Sequence, residues 1–194
     1  MEWMVALAMG YVIGSVPFGL ILTRLFGAGD LRQIGSGNIG ATNVLRTGRK
    51  GLAAATLLLD LAKGLAAVLI ARALWGEALT EQAAIGVFAG HCFPVWLAFR
   101  GGKGVATTAG ICFGLAWPIG AVYAVVWLGM LALTRISSLA GMSAAIAAPI
   151  AAWALGYPWH IKALAAIAVA VLVLHRANIA RLRAGTEPKV GGQS

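Results

Sequence analysis

The sequence predicts an all-α, polytopic membrane helix bundle with about seven transmembrane helices, its N-terminus outside and its C-terminus cytoplasmic. The first observation is composition: 60% of residues are apolar, 11% are charged and the mean hydropathy is +0.87, whereas soluble domains carry about 25% charged residues. The second is a series of apolar runs near the roughly 20 residues that cross a bilayer. The third is that Lys and Arg cluster between these runs, which sets the orientation of membrane helices.

The 194 residues contain no Pro- or Ser-rich linker, so we expect one transmembrane domain over 1–184. A short cytoplasmic tail, 185–194, follows and is expected to be unpacked. At the N-terminus, Glu2 precedes an apolar run from Trp3 to Leu22. That run is too long for the core of a signal peptide and lacks a basic flank, which indicates a retained first span.

The candidate spans cover roughly 3–25, 52–75, 82–99, 104–116, 118–134, 138–155 and 161–175. Only Trp117-Pro118 divides the fourth from the fifth, so one long helix over 104–134 is an alternative. Charge favours seven spans, because this count places most basic residues on one side with only Arg72 and Lys162 opposite. Those on the cytoplasmic side are Arg24, Arg32, Arg46, Arg49, Lys50, Arg100, Lys103, Arg135, Arg176, Arg181, Arg183 and Lys189.

The glycine-rich segment 35–43 has the spacing of a dinucleotide-binding fingerprint, but no strand precedes it, which excludes that reading. Glycines let backbone N–H groups converge on an anion, and polar side chains add donors. The candidate donors for a phosphate are Ser36, Asn38, Thr42, Asn43 and the fork-shaped guanidinium of Arg46. Alternatively, the segment 35–43 is a solvent-exposed turn that binds no phosphate.

A second glycine cluster surrounds Lys103 in the segment 100–107. Leu97 stands where a Walker loop has its first glycine, and Gly104 follows the lysine where that loop has Ser or Thr. Nucleotide hydrolysis is therefore not supported. Glycines on both sides of Lys103 favour close backbone approach to a ligand, although a topological anchor would also explain the charge.

Ionisable residues inside apolar runs are costly and are functional candidates. His91 is one, with a hydrogen-bonded packing histidine as the alternative, and the Asp60 and Lys63 pair is as compatible with a structural ion pair as with chemistry. His175 and Asn178 close the seventh run. The three histidines lie on different segments, so we predict no metal site and no cofactor. Basic residues in clusters between apolar runs also argue against a nucleic-acid partner.

Six segments, occurring in order, resemble the bacterial acyl-phosphate:glycerol-3-phosphate acyltransferase family. They are SVPFG at 15–19, GSGNIGATN at 35–43, DLAKG at 60–64, GHCFPV at 90–95, GGKGVAT at 101–107 and HRANIARL at 175–182. The resemblance covers about 15–187. The alternative glycerophosphate acyltransferase design has Asp five residues after a His. Here those positions hold Trp96, Ala165 and Ala180, and no acyl-CoA-type motif is present.

The resemblance implies transfer of an acyl chain from acyl phosphate to the 1-hydroxyl of glycerol 3-phosphate, giving lysophosphatidic acid and phosphate in phospholipid biosynthesis. The implied location is the bacterial inner membrane, with the active site facing the cytoplasm. It implies that Ser36, Arg46 and Lys103 bind phosphate, that Asn38 and Asn178 are neutral donors, and that His91 and His175 orient substrate or relay a proton. Acyl phosphate is already activated, so no nucleophilic residue is required.

Two other classes remain open from the sequence. A membrane transporter or exporter of an organic phosphate could use the same loops, but no repeat relates the two halves of the chain. A pure scaffold would leave the intramembrane His91 unexplained. The expected partners are glycerol 3-phosphate, acyl phosphate and membrane lipid, and the sequence leaves oligomeric state open.

Overall fold

A computed structural model describes residues 1–191, and within that range all regular secondary structure is helical, with no β-strand. The α-helices are α1 (Glu2–Gly14), α2 (Phe18–Leu25), α3 (Ala41–Leu45), α4 (Lys50–Trp75), α5 (Thr80–Cys92), α6 (Val105–Leu115), α7 (Trp117–Thr134), α8 (Ser137–Ala154), α9 (Ile161–Leu174) and α10 (Arg176–Arg183). Short 3-10 turns connect several of them. The last three residues of the predicted tail, 192–194, lie outside the described part of the chain.

The outer surface of the bundle exposes many large apolar side chains, which is unfavourable in water. Large side chains at Leu58, Val125, Leu133 and Trp153 are 63%, 69%, 84% and 73% exposed. The interior instead collects small residues and several buried polar groups. Exposed apolar surface of this extent marks contact with lipid, so the predicted all-α membrane bundle is confirmed as a class.

Length and composition identify four helical segments that could cross a membrane: Glu2–Leu25, Lys50–Leu97, Trp117–Thr134 and Ser137–Ala154. A fifth is possible if Pro158–Leu174 and Arg176–Arg183, which meet at a 60° bend, form one broken span. The long second segment contains both α4 and α5. The count of seven spans and the orientation of the termini stay predictions.

Two helix breaks divide the long apolar runs. The first run was predicted as one helix but is interrupted between α1 and α2, where Pro17 stands at the N-cap of α2. The alternative of a single helix over 104–134 is wrong, because Ala116 is extended (φ −156°, ψ 124°) between α6 and α7. Pro118 then occupies the first turn of α7, the helical position that proline favours.

Glycines bring pairs of helices into backbone contact. A Cβ on Gly10 would lie 2.3 Å from the Ala83 carbonyl oxygen, and one on Gly90 would lie 2.1 Å from that of Tyr11. Helices α4 and α6 are in similar contact. Gly64 lies beside Thr107 and Val68 beside Gly114, so the residue numbers increase in the same direction along both helices. These matches make α1 parallel to α5 and α4 parallel to α6. Small residues of this kind are typical of close helix packing in membranes.

The C-terminal end of α5 and the N-terminal end of α6 lie deep inside the bundle. Gly64, which contacts the first turn of α6, is about 21 Å along α4 from Lys50. The predicted third span, 82–99, is likewise cut short, because α5 ends at Cys92. The loop that joins these short helices therefore reaches the middle of the long helix α4, and it carries polar residues with it.

Candidate active site

One interior cavity, of about 120 Å³, collects the loops that the sequence singled out. Its walls come from the 35–46 segment, α4, the end of α5, the start of α6, α7, the start of α8, the α9–α10 junction and the tail. All nine predicted site residues line it: Ser36, Asn38, Thr42, Asn43, Arg46, His91, Lys103, His175 and Asn178. Segments separated by up to 142 positions in the sequence thus meet at one place.

Asn43 organises the first glycine loop. Its side chain is buried, and its Nδ2 donates to the carbonyl oxygens of Leu31 and Ile34 at 2.9 Å and of Asn38 at 2.8 Å. Its Oδ1 accepts the backbone N–H of Ser36 at 3.2 Å. Every polar atom of this amide is used within the loop. Asn43 therefore fixes the shape of the loop that presents Ser36 to the cavity.

Arg46 projects from the end of this loop. It lies against Gly35 (φ +54°), where a Cβ would be 2.6 Å from the guanidinium. Among residues 1–191 this guanidinium has no ion-pair partner and no hydrogen-bond acceptor within range, so its donors remain free for a ligand. Thr42 ties the loop to the start of α8, because its hydroxyl is 2.9 Å from that of Ser137.

Lys103 is delivered by the second glycine loop. Gly101 and Gly102 donate backbone hydrogen bonds of 3.0 Å to the carbonyl oxygens of Cys92 and His91. A Cβ on Gly102 would lie 2.0 Å from His91 Nε2, so only glycine fits against this ring. The loop is thereby folded back onto the end of α5, with Lys103 directed into the cavity.

The Lys103 ammonium donates a hydrogen bond to Asn178 Oδ1 on α10. Burial lowers the pKa of Lys103, and the neighbouring Arg181 guanidinium lowers it further. A partly desolvated lysine beside a second cation gains more from an anionic ligand than a fully hydrated one does. The position therefore suits a phosphate group.

A buried chain of polar side chains forms part of the cavity wall. Lys63 Nζ is 2.7 Å from Asp60 Oδ1, and His91 Nδ1 is 3.6 Å from the same oxygen. Lys63 also donates to the Val16 carbonyl oxygen at 2.9 Å, at the break between α1 and α2. The structure thus forms the ion pair that the sequence left open, and it places His91 between that pair and the Lys103 loop.

His175 ends α9 and is buried, with its Nδ1 2.8 Å from the Val171 carbonyl oxygen. A carbonyl can only accept, so Nδ1 carries the proton. In the neutral ring this leaves Nε2 as an acceptor on a residue that lines the cavity.

The expectation of an unpacked tail is wrong for the part that contains Glu187. Its carboxylate accepts hydrogen bonds of 2.6 Å from Ser138, Asn178 and Arg181. Burial raises the pKa of Glu187, but these three donors outweigh burial and hold the pKa below its usual range. The ionised tail residue therefore joins α8 to α10 at the edge of the cavity.

Several lining residues were not among the predicted ones. They are Gly40, Ala41, Leu57, Asp60, Gly104, Val105, Ala106, Trp127, Ser137, Ser138, Arg181, Glu187 and Pro188. Arg181 is the most informative, because it lies one helical turn after Asn178 and adds a third cation beside Arg46 and Lys103. The three-residue spacing was a usable signal for it. Trp127 stands in an unbroken apolar run, so no pattern in the sequence indicated that it lines the cavity.

Within residues 1–191, no group of three or more His, Cys, Asp or Glu side chains is placed to hold a metal ion. Two of the anionic groups at the cavity are already paired, Asp60 with Lys63 and Glu187 with Arg181. The remaining positive charge comes from Arg46 and Lys103. Fold and cavity together define an integral membrane protein with a cavity that carries net positive charge.

Comparison with known proteins makes the class specific. The sequence profile described as Glycerol-3-phosphate acyltransferase matches residues 4–185. The glycerol-3-phosphate acyltransferase of Novosphingobium aromaticivorans is 70% identical over 194 residues, covering 99% of this chain and 97% of the relative. That of Erythrobacter litoralis is 61% identical over 189 residues, covering 97% and 95%.

Solved structures agree with the sequence relatives. Crystal structures of PlsY (YgiH), an integral membrane glycerol 3-phosphate acyltransferase, in glycerol 3-phosphate and lysophosphatidic acid forms, superpose with TM-scores of 0.92 and 0.91. Each is 34% identical and is matched over 98% of this chain and 96% of the other. The chain belongs to the glycerol-3-phosphate acyltransferase family, which confirms the resemblance drawn from its motifs.

Proposed function

We propose that this protein transfers a fatty acyl group from acyl phosphate to the 1-hydroxyl of glycerol 3-phosphate, releasing lysophosphatidic acid and inorganic phosphate. The observation that carries the proposal is the convergence of Arg46 and Lys103, from two separate segments, on one cavity. Both substrates bear a phosphate, and guanidinium and ammonium groups are its usual partners. Family membership supplies the acceptor and the type of reaction.

The chemistry needs positioning more than it needs a nucleophile. The hydroxyl oxygen attacks the acyl carbonyl carbon, the bond from that carbon to the phosphate oxygen breaks, and the phosphate leaves with the electron pair. The proton of the attacking glycerol hydroxyl passes to the departing phosphate or to a neighbouring base. Holding two anions side by side and aligning hydroxyl with carbonyl is work for fixed cations and donors.

The roles follow from which polar atoms are free. Ser36, Arg46 and Lys103 bind phosphate, because each lines the cavity. Asn178 connects Lys103 to Glu187 and so fixes the ammonium, while Thr42 secures the loop through α8.

Two further asparagines belong to the loop itself. Asn43 is committed to loop carbonyls, and Asn38 Oδ1 accepts the Gly40 N–H at 2.9 Å. Asn43 therefore positions the loop, whereas Asn38 holds the loop through Oδ1 and keeps its Nδ2, which has no hydrogen-bond partner among residues 1–191, as a donor for substrate.

The two histidines have different tasks in this proposal. His91 supports the Lys103 loop through its contact with Gly102 and its carbonyl oxygen. His175 has Nε2 as its remaining acceptor and is the group better placed to orient the glycerol hydroxyl or accept its proton.

We also propose seven spans, with the N-terminus outside, the C-terminus cytoplasmic and the site at the cytoplasmic side of the bacterial inner membrane. Seven spans in this order would make α1 and α5 cross the membrane in one direction and α4 and α6 in the other, and the parallel pairs α1–α5 and α4–α6 support this. So does a second groove, lined by residues of the α4–α5, α6–α7 and α8–α9 connections, such as Glu77, Leu115 and Tyr157. The basic clusters belong to the remaining connections, as expected for cytoplasmic loops.

The test uses the purified protein in detergent with acyl phosphate and radiolabelled glycerol 3-phosphate. We expect labelled lysophosphatidic acid and an equal amount of phosphate. Arg46→Ala and Lys103→Ala should each lose most turnover, while Arg183→Ala, an exposed cation outside the cavity, should stay near wild type. Absence of product together with uptake of glycerol 3-phosphate into liposomes would instead identify a transporter.

A further inference from the structure

Trp127 is a buried hydrogen-bond donor that the proposed mechanism has not used. It lies in the middle of α7, and its side chain lines the cavity. Its indole Nε1 is shielded from solvent and has no hydrogen-bond partner among residues 1–191. An indole N–H can only donate, and a buried donor without an acceptor is unfavourable. An acceptor atom on a ligand in the cavity would satisfy this N–H.

The position of Trp127 indicates which part of a ligand it meets. The cations come from the loops and α10, whereas Leu57, Val105, Ala106 and Trp127 form an apolar part of the lining on the helices α4, α6 and α7. Ala41 and Pro188 add apolar lining beside the loop and the tail. On α7, Val125 and Leu128 are 69% and 58% exposed, as expected for a surface that faces lipid. Trp127 therefore stands where the polar cavity gives way to the membrane interior.

An acyl phosphate has its groups in the matching order. Its phosphate belongs with the cations, its alkyl chain belongs with lipid, and its carbonyl group lies between them. The carbonyl oxygen is an acceptor at the junction, whereas glycerol 3-phosphate has no apolar part to place there. During attack this oxygen gains negative charge, so a donor fixed against it also stabilises the transition state.

We propose that the Trp127 indole N–H donates a hydrogen bond to the acyl carbonyl oxygen of the acyl donor. This inference rests on the proposed function and adds a substrate-binding residue to it. Trp127 thus fixes the acyl donor at the polar–apolar boundary and aims its carbonyl carbon toward the glycerol hydroxyl.

The kinetic test compares Trp127→Phe, which keeps an aromatic ring but lacks the N–H, with Trp153→Phe, a matched change at a lipid-exposed position. We expect kcat/KM for acyl phosphate to fall about 10²- to 10³-fold in Trp127→Phe, as when a single oxyanion donor is removed. The KM for glycerol 3-phosphate and the melting temperature should match those of Trp153→Phe. Trp127→His, which retains a ring N–H, should recover part of the loss.

A binding test separates contact with the carbonyl from a general disturbance of the site. The probes are a β-ketophosphonate, which keeps the carbonyl, and an alkyl phosphate of equal chain length, which lacks it. Trp127→Phe should weaken binding of the ketophosphonate about three- to tenfold, the value of one hydrogen bond, and leave alkyl phosphate binding unchanged.

Equal weakening of both probes, or turnover equal to that of Trp153→Phe, would overturn the inference. Failure of the wild-type protein to form lysophosphatidic acid would overturn the proposed function itself. The two failures are therefore distinct.

Discussion

The buried Asp60–Lys63 pair makes the sharpest stability prediction. The two side chains are 4% and 3% exposed, and 2.7 Å separates Lys63 Nζ from Asp60 Oδ1. Asp60→Asn leaves the Lys63 ammonium without its counter-ion, and Lys63→Met leaves the carboxylate with only His91 nearby, 3.6 Å away. Each single change therefore creates an isolated charge in a medium that cannot hydrate it.

The expected magnitudes follow from that burial. Removing one partner of a buried pair costs about 3–5 kcal/mol of unfolding free energy, because the other charge remains. The double variant Asp60→Asn/Lys63→Met buries no net charge and loses chiefly the hydrogen bond from Lys63 to the Val16 carbonyl oxygen, 2.9 Å long. We expect it to cost about 1–3 kcal/mol. The two changes should therefore be non-additive by at least about 3 kcal/mol.

The assay is equilibrium unfolding in mixed detergent micelles, followed by circular dichroism for the wild type, both single variants and the double variant. Glu77→Gln is the matched control, since the Arg72–Glu77 pair is even shorter at 2.5 Å but Glu77 is 63% exposed. That control should cost less than about 1 kcal/mol. A double variant whose loss equals the sum of the single losses would refute the reasoning.

Three further outcomes are expected at the cavity. Gly102→Ala should reduce kcat/KM at least about tenfold, because its Cβ would lie 2.0 Å from His91 Nε2; Gly129→Ala, with open space around it, should not. As the pH is raised, the KM for glycerol 3-phosphate should increase before the pH reaches the ordinary lysine pKa of about 10.4, because burial lowers the pKa of Lys103. Lys103→Arg should move this increase to higher pH. Glu187→Gln should lower the free energy of unfolding by about 1.5–3 kcal/mol at neutral pH, measured by chemical denaturation. That difference should disappear as the pH falls through the lowered pKa of Glu187, because protonation of the wild-type carboxylate removes the same charge.

Sequence patterns predicted the helices well, because a long apolar run admits almost no other structure in lipid. They were less informative about where helices stop. Pro118 marked one break, but we predicted unbroken spans through Pro17 and Pro94, which follow the ends of α1 and α5. Hydropathy measures the preference for lipid, and it does not register where a chain turns while remaining apolar.

The cavity was predictable where polar residues stood out against apolar surroundings. Glycines beside Lys103 and a histidine inside a span are conspicuous, and all nine predicted residues line one cavity. Trp127 and Glu187 were missed for opposite reasons. A tryptophan in an apolar run is typical of a lipid-facing position, and a glutamate in a Gly- and Pro-containing tail is typical of a solvated one. Only tertiary contacts distinguish these cases.

The glycine contact between α1 and α5 has a consequence for how the protein is made. Both helices must have entered the bilayer before their backbones can meet, yet α5 begins about 78 residues after α1. At translation rates of about 5–20 residues per second, α1 waits roughly 4–16 s for its partner. During that interval the smooth face around Gly10 and Gly14 is open to other small-residue helices. The packing of α1 therefore depends on a helix that is synthesised seconds later.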